Sequence, residues 1–138
     1  MGNVMQEHIA TSKIVVPLVF QTTDVPDAAG TAKTVQVGSD DYVMPWAGSI
    51  VGISVRHNAD LTGGAITWRP TIDGTANTTM TVLTDDTHQQ AYKTHAGRDI
   101  PFAAGARLGV DWTESGTVAP ATTDVAIVLF VLLEGVDL

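Results

Sequence analysis

The sequence predicts an all-β fold, a single-domain antiparallel β-sandwich or jelly roll of about eight strands behind an N-terminal arm. Three observations point there. Short runs rich in Val, Ile and Thr recur along the chain, each bounded by Gly, Pro, Asn or Asp. No segment keeps helical periodicity over several turns. Val125 to Leu133 is an unbroken apolar run of nine residues, a natural strand length and about half of what a bilayer-spanning helix needs.

Taken in order, residues 1–12 (MGNVMQEHIATS) are polar and aperiodic and read as an arm without fixed structure of its own. The domain is expected over 13–138. Ile14 to Phe20 (IVVPLVF) is a β-branched strand in which Pro17, lacking an N–H, belongs at an edge or a bulge. A turn-rich loop leads to a short strand over 31–37 and a turn over 38–41. In Tyr42 to Gly48 (YVMPWAG), Trp46 is expected to plug the bottom of the core. Ser49 to His57 alternates, with Val51, Ile53 and Val55 on one face and Ile50, Gly52, Ser54 and Arg56 on the other. Gly52 predicts close approach by a backbone or a bulky side chain. Ala65 to Ile72 turns Ile66, Trp68, Pro70 and Ile72 to one side, and Asp73-Gly74 opens a hairpin turn toward a partner strand over 79–84. Gln89 to Thr94 is a short strand. Ile100 to Gly105 leads into Arg107 to Thr113, with Leu108, Val110 and Trp112 on one face. The Gly/Pro/Thr-rich stretch 114–123 reads as a loop before the last strand, Asp124 to Glu134.

That last strand is anomalous. A half-buried strand alternates apolar and polar residues. Here Val125, Ile127, Leu129, Val131 and Leu133 form one face, and Ala126, Val128, Phe130 and Leu132 the other. Both need cover. The core takes one, and the other calls for a second layer or a second subunit. Alternation alone does not say which is which; Val128, Phe130 and Leu132 are the candidate oligomer-interface residues.

Composition narrows the function. The net charge is −8, and the seven basic residues are scattered singly, so the clustered positive charge that tracks nucleic-acid phosphates or anionic membranes is missing. Cysteine is absent, which removes disulfides, thiolate metal sites and cysteine nucleophiles and favours folding in a reducing compartment. The first residues lack a basic segment followed by an apolar one, so no secretory signal is expected.

Chemistry-bearing motifs are sparse. His88 and His95 lie near Asp85 and Asp86 and could meet across a hairpin, but their spacing matches no metal signature. His57, closing a strand, is placed at a subunit contact. Asp40-Asp41 and Asp85-Asp86 are adjacent carboxylates that point apart in loops, unlike the facing pair of a glycosidase. No serine sits in a Gly-x-Ser-x-Gly elbow, and the Gly63-Gly64 pair precedes a strand, not a phosphate-binding helix. Trp68 and Trp112 share faces with aliphatic residues and read as core. The expectation is no enzyme and no cofactor.

Two stretches carry a resemblance. Tyr42 to Val55 (YVMPWAGSIVGISV) resembles a segment of small structural proteins from tailed bacteriophages, in which an apolar-Pro-aromatic-Ala-Gly turn feeds a strand. Ile100 to Val110 (IPFAAGARLGV), followed by the apolar last strand, is similar to the closing half of small jelly rolls, both viral and of the trimeric tumour-necrosis-factor and C1q type. Phe102, Gly105 and Leu108 match the Phe-x-x-Gly-x-x-Leu turn of those families, while their Gly-Asp pair is Gly105-Ala106 here. With its small size, acidity, β content and lack of cysteine, the chain resembles the capsid decoration (cement) proteins of tailed phages. The resemblance implies a homotrimer on the outside of an icosahedral shell, clamping the major capsid protein, made in the host bacterial cytoplasm and carrying no catalytic residues. The arm, with Val4, Met5 and Ile9, becomes the candidate contact to the shell or a neighbour. A receptor- or carbohydrate-binding jelly roll of a phage tail or head fibre is the alternative and would use exposed aromatics such as Tyr42 and Tyr92. A cupin-like enzyme would need metal-binding histidines on facing strands.

Overall fold

The computed structural model describes residues 13–25, 29–35 and 38–134. The arm residues Val4, Met5 and Ile9 lie outside them. The described chain forms strands β1 (Ile14–Thr22), β2 (Gly30–Thr31), β3 (Lys33–Thr34), β4 (Asp41–Val43), β5 (Gly48–His57), β6 (Gly63–Ile72), β7 (Thr75–Ala76), β8 (Val82–Asp85), β9 (Gln90–Thr94), β10 (Pro101–Phe102), β11 (Arg107–Ala119) and β12 (Val125–Leu133), without a helix. Every pairing is antiparallel.

The expectation of about eight strands meets twelve segments because several strands are interrupted. β2 and β4 pair with the same edge of β11, β9 and β10 with the same edge of β5, and β7 and β8 with the same edge of β6. Merged in this way, the sheets read β9/β10–β5–β12–β1–β3 and β2/β4–β11–β6–β7/β8. Each successive strand changes sheet except from β6 to β7/β8, which is jelly-roll topology.

Several sequence expectations need correcting. The predicted strand over 31–37 is split between sheets. Gly30 and Thr31 pair with β11, whereas Lys33 and Thr34 pair with β1. Buried Ala32 marks the crossing, its N–H donating to the Val110 carbonyl at 2.9 Å. The stretch read as a loop from 114 continues β11 to Ala119, its pairing with β6 resuming at Gly63 after an irregularity. Gly116, with φ 71°, supplies the turn that makes this possible. The hairpin expected at Asp73-Gly74 forms, with φ of 51° and 82° as in a type I′ turn. Its partner is the short β7, however, and the strand expected over 79–84 is β8, which starts only at Val82 after the residues between Ala76 and Val82 leave the sheet. Trp46 does not plug the core; its side chain is exposed.

The facing of β5 also differs. Its register against β12 pairs Gly52 with Phe130 but Ile50 with Val131, so Val51 is an extra residue. This β-bulge flips the alternation. Ile50, Ile53 and Val55 all enter the core, and Val51 is turned out, half-buried. The core then fills with Phe20, Ile66, Leu108, Ile127 and Leu129 around a tilted Trp68–Trp112 pair at 5.6 Å. Each such fully buried side chain contributes about 1.5–3 kcal/mol. Two glycines permit the packing. A Cβ on Gly30 would stand 2.4 Å from the Trp112 ring, and one on Gly48 would stand 2.2 Å from the Leu132 carbonyl oxygen.

One end of the sandwich is tied by polar cross-links. His57, expected at a subunit contact, is instead buried within the protomer. The Trp68 indole N–H donates to Thr84 Oγ1 at 3.0 Å, and the far end of the chain is the Ala59 carbonyl, which accepts from Thr123 Oγ1 at 3.3 Å. Between them the Thr84 hydroxyl donates to His57 Nε2 at 2.8 Å, and His57 Nδ1–H donates to Thr123 Oγ1 at 3.2 Å. The Thr123 hydroxyl gives its proton to a carbonyl, so it accepts from the ring and Nδ1 carries a proton. The Thr84 hydroxyl, which accepts from the indole, keeps its own proton to donate to Nε2 of a neutral ring, the form that burial favours. Burial pushes its pKa below the ordinary 6.5. Nearby, the Asp124 carboxylate accepts from the Asp24 N–H and the Asn58 amide, and Gln89 brackets Leu61 through both its N–H and its carbonyl. Asp85 is held down to about 2 by the Thr87 hydroxyl and the His88 ring.

Two outcomes follow from this packing. Gly48→Ala is expected to lose about 1–3 kcal/mol of stability, because the new methyl meets a backbone carbonyl that cannot move aside; an unchanged urea midpoint would refute this. For His57, the unfolded chain binds more protons than the folded one between the depressed folded pKa and 6.5, so stability rises with pH through that window and is lost as pH falls below 6.5. Urea melts at pH 7.5 and 5.5 should show this slope in the parent and not in His57→Gln; equal slopes would show that the ring does not titrate with folding.

Candidate functional site

Strand alternation sorts β12 cleanly. Val125, Ile127, Leu129, Val131 and Leu133 are buried in the core. Val128, Phe130 and Leu132, the candidate interface residues, lie on the outer face and are half-buried. β12 is central in its sheet, between β1 and β5. What covers its outer face must therefore come from beyond the sheet.

The neighbouring strands extend the same surface. On β1 the partners of Leu132, Phe130 and Val128 are Val15, Pro17 and Val19. Val15 is 58% exposed and Val19 41%. On β5 the partner of Phe130 is Gly52, across which the phenyl ring lies; a Cβ there would be 3.4 Å from the ring. The close approach expected at Gly52 is thus made by Phe130. On β9, Tyr92 pairs with Ser54 and is 79% exposed. The outward positions of β1, β12, β5 and β9 carry no charge except Arg56, whose guanidinium donates to Gln90 Oε1 at 2.6 Å. Burying side chains of this size is worth about 1.5–3 kcal/mol each. Left in water, such a patch promotes association.

The opposite face of the sandwich is different. Outward residues of β6 and β11 include Thr67, Arg69, Thr71, Asp111 and Thr113, and the Thr31 hydroxyl donates to Asp111 Oδ1 at 2.9 Å. This face is largely polar, with Val43 and Leu83 as its exposed apolar side chains.

The sheet edge is protected where the face is open. β3 pairs with β1 only at Phe20 and Gln21. Along the rest of that edge Pro17 offers no N–H, and the Tyr42 hydroxyl donates to the Val19 carbonyl at 2.9 Å. Strand addition at this edge is disfavoured. Association through the face is not.

Small side chains on β5 leave a trough in this surface. About 380 Å³ lies between Tyr92 and Val128 above Ser54, ending at Arg56 and Gln90. A second hollow of about 390 Å³ opens beside Val51, Val15 and Leu132, rimmed by Lys13, His95 and Arg98. Around the rim, Arg98 pairs with Glu134 at 2.6 Å, Lys33 with Asp40, and His95 with Asp99 at 2.9 Å.

The described histidines lie apart from one another. His88 sits on Asp85, His95 on Asp99, and His57 between two threonines. Among the described residues no group of three or more His, Cys, Asp or Glu is placed to hold a metal. Sequence reading found the β12 part of the apolar face and named Tyr92 only as an exposed aromatic; it missed Val15, Val19 and Val51. The signal for β1 was present, since IVVPLVF is apolar at outward and inward positions alike.

No protein-family model matches this sequence, and no curated protein matches it. Similarity appears in solved structures. A chain of the acidic stable capsid structure of Helicobacter pylori bacteriophage KHP30 is 11% identical, with a TM-score of 0.51 over 93% of this chain and 99% of that one. A chain of the cyanophage Pam1 capsid asymmetric unit is 16% identical, with a TM-score of 0.47 over 90% and 86%. One of Desmodium yellow mottle tymovirus is 7% identical, with a TM-score of 0.41 over 90% and 87%. The KHP30 match spans nearly all of both chains, so this protein shares its whole all-β fold with a chain of similar length in a phage capsid.

Proposed function

We propose that this chain is a non-enzymatic structural protein of a phage virion, binding the capsid exterior as a homotrimer and stabilising the major capsid protein lattice. The observation that carries the reading is the largely apolar outer face of β1, β12, β5 and β9, charged only at Arg56, on a fold shared with a capsid chain. A clamp needs a rigid core, a surface for its own copies and a surface for the shell. The first surface is supported by the outer face, with Val128, Phe130 and Leu132 at its centre and Val15, Val19 and Tyr92 more exposed around them. The shell contact is assigned to what remains, the loop ends and the arm with Val4, Met5 and Ile9.

A receptor- or carbohydrate-binding role is the second reading. It draws on Trp46, 41% exposed, and Tyr92. Tyr92 lies among apolar neighbours on the sheet face, an environment suited to protein contact more than to a hydroxylated ligand.

Two measurements test the reading. Val19→Asp leaves the core untouched and strands a carboxylate in the proposed interface, so light scattering should show monomers, with the β-sheet circular dichroism retained. An oligomer of unchanged mass would remove β1 from the interface, and a monomeric parent at micromolar concentration would sink the homotrimer. Purified protein should co-sediment with phage heads stripped of their decoration and raise their melting temperature; heads that neither bind it nor gain stability would refute the capsid role, and selective glycan-array binding would favour the second reading.

A further inference from the structure

The two ends of the sandwich are chemically unlike. Where β5 finishes and β12 begins, the segments 58–62, 85–89 and 120–124 carry Asp60, Asp85, Asp86 and Asp124 and no Lys or Arg. At the other end the chain crosses between the sheets twice, from β4 to β5 through residues 44–47 and from β10 to β11 through residues 103–106. The two crossings lie side by side. The Met44 N–H donates to the Ala106 carbonyl at 2.8 Å, the Gly105 N–H to the Met44 carbonyl at 2.6 Å, and the Glu134 N–H to the Ala47 carbonyl at 2.9 Å. The Met44, Phe102 and Ala106 side chains are buried. The backbone here is fixed before anything binds, which lowers the cost of binding.

What the crossings show to solvent is apolar. Val43, Pro45, Trp46, Ala47, Ala103 and Ala104 are exposed. Along 43–47 and 100–106 the Trp46 indole N–H is the one side-chain N–H or O–H. The arginines at this end are matched by carboxylates, Arg107 facing Asp73 at 3.8 Å and Arg98 facing Glu134 at 2.6 Å. We propose that the protein seats on the shell by this end, with Trp46 as the anchor in an apolar pocket of the major capsid protein and the end that carries Asp60 and Asp124 turned to solvent. This rests on the capsid reading and selects, from the loop ends, the one that makes the contact. A tryptophan is suited to the role because its large, rigid ring is desolvated at little entropic cost. Other occupants fit less well. A sugar needs hydrogen-bonding side chains around the ring, and the crossings supply none beyond the indole. An anionic lipid surface needs spare cations, and both arginines face carboxylates. A second copy is served by the sheet face, and a further self-contact at the strand ends would chain closed oligomers together without limit. A neutral, apolar seat on a chain of net charge −8 calls for a protein surface that is itself apolar.

Trp68 and Trp112 are buried, so Trp46 is the tryptophan that a quencher in solution can reach. Acrylamide should quench its emission in the purified oligomer, and Trp46→Ser should remove the quenchable fraction. Emission in the parent as protected as that of the buried pair would show that a second copy covers this end and would overturn the proposal. Trp46→Ser and, separately, Ala104→Glu should keep the oligomer mass and melting temperature of the parent. Each should weaken co-sedimentation with phage heads stripped of their decoration by about tenfold or more. Asp60→Asn combined with Asp86→Asn should bind like the parent. Equal head binding by the parent, Trp46→Ser and Ala104→Glu would overturn this seat and leave the capsid role standing. Loss of binding in the Asp60 and Asp86 variant alone would put the seat at the opposite end and overturn it as well. Heads that do not bind even the parent would overturn both the seat and the capsid reading.

Discussion

Period-two alternation in a strand that is apolar at every position is the constraint on which the rest of this molecule depends. β12 lies at the centre of its sheet, with β1 on one side and β5 on the other, so its backbone is fully paired. Its inward residues are among the most buried in the protein, Ile127, Leu129 and Val131 having no exposed surface. The outward set cannot be turned in without turning the inward set out, because a one-residue slip exchanges the two faces. An apolar outer face is thus built into the strand that organises the core. The polar outer surface of β6 and β11 shows that the fold itself does not require it.

The neighbours of β12 adapt to this face instead of hiding it. β5 presents Gly52 beneath Phe130 and inserts Val51 as a bulge, which shifts the register by one residue and so turns Ile50 into the core. β1 contributes Val15, Pro17 and Val19 and silences its own edge with the proline and the Tyr42 hydroxyl. The outcome is a surface that discourages strand addition and favours face-to-face contact, a distinction that separates assembly of defined size from open-ended aggregation.

The interior is apolar through most of its length but closes on a polar end. There the Trp68–Thr84–His57–Thr123–Ala59 chain joins the ends of β5 and β8 to the loops before β6 and β12 with every donor matched. A satisfied buried network specifies geometry because each member has one productive orientation. It also engages both ring nitrogens of the buried His57, so the ring belongs to the core of the protomer and not to a metal site.

Much of this was legible in the chain. The all-β class, the long strands, the Asp73-Gly74 hairpin, the core placement of Trp68 and Trp112 and the doubly apolar last strand each follow from local periodicity and turn chemistry. What was not legible depends on pairing between distant segments. The bulge at Val51 exists only relative to Phe130 and Val131, the split of the 31–37 stretch only relative to β1 and β11, and the continuation of β11 past Glu114 only relative to β6. Sequence alone assigns His57 to a subunit contact because its partners, Thr84 and Thr123, are far from it in sequence. The sequence by itself determined that one strand would be apolar on both sides; only the tertiary structure decided which side faces out and which residues of β1, β5 and β9 join it, because those facts are set by strand order and register, and these depend on contacts that no local pattern encodes.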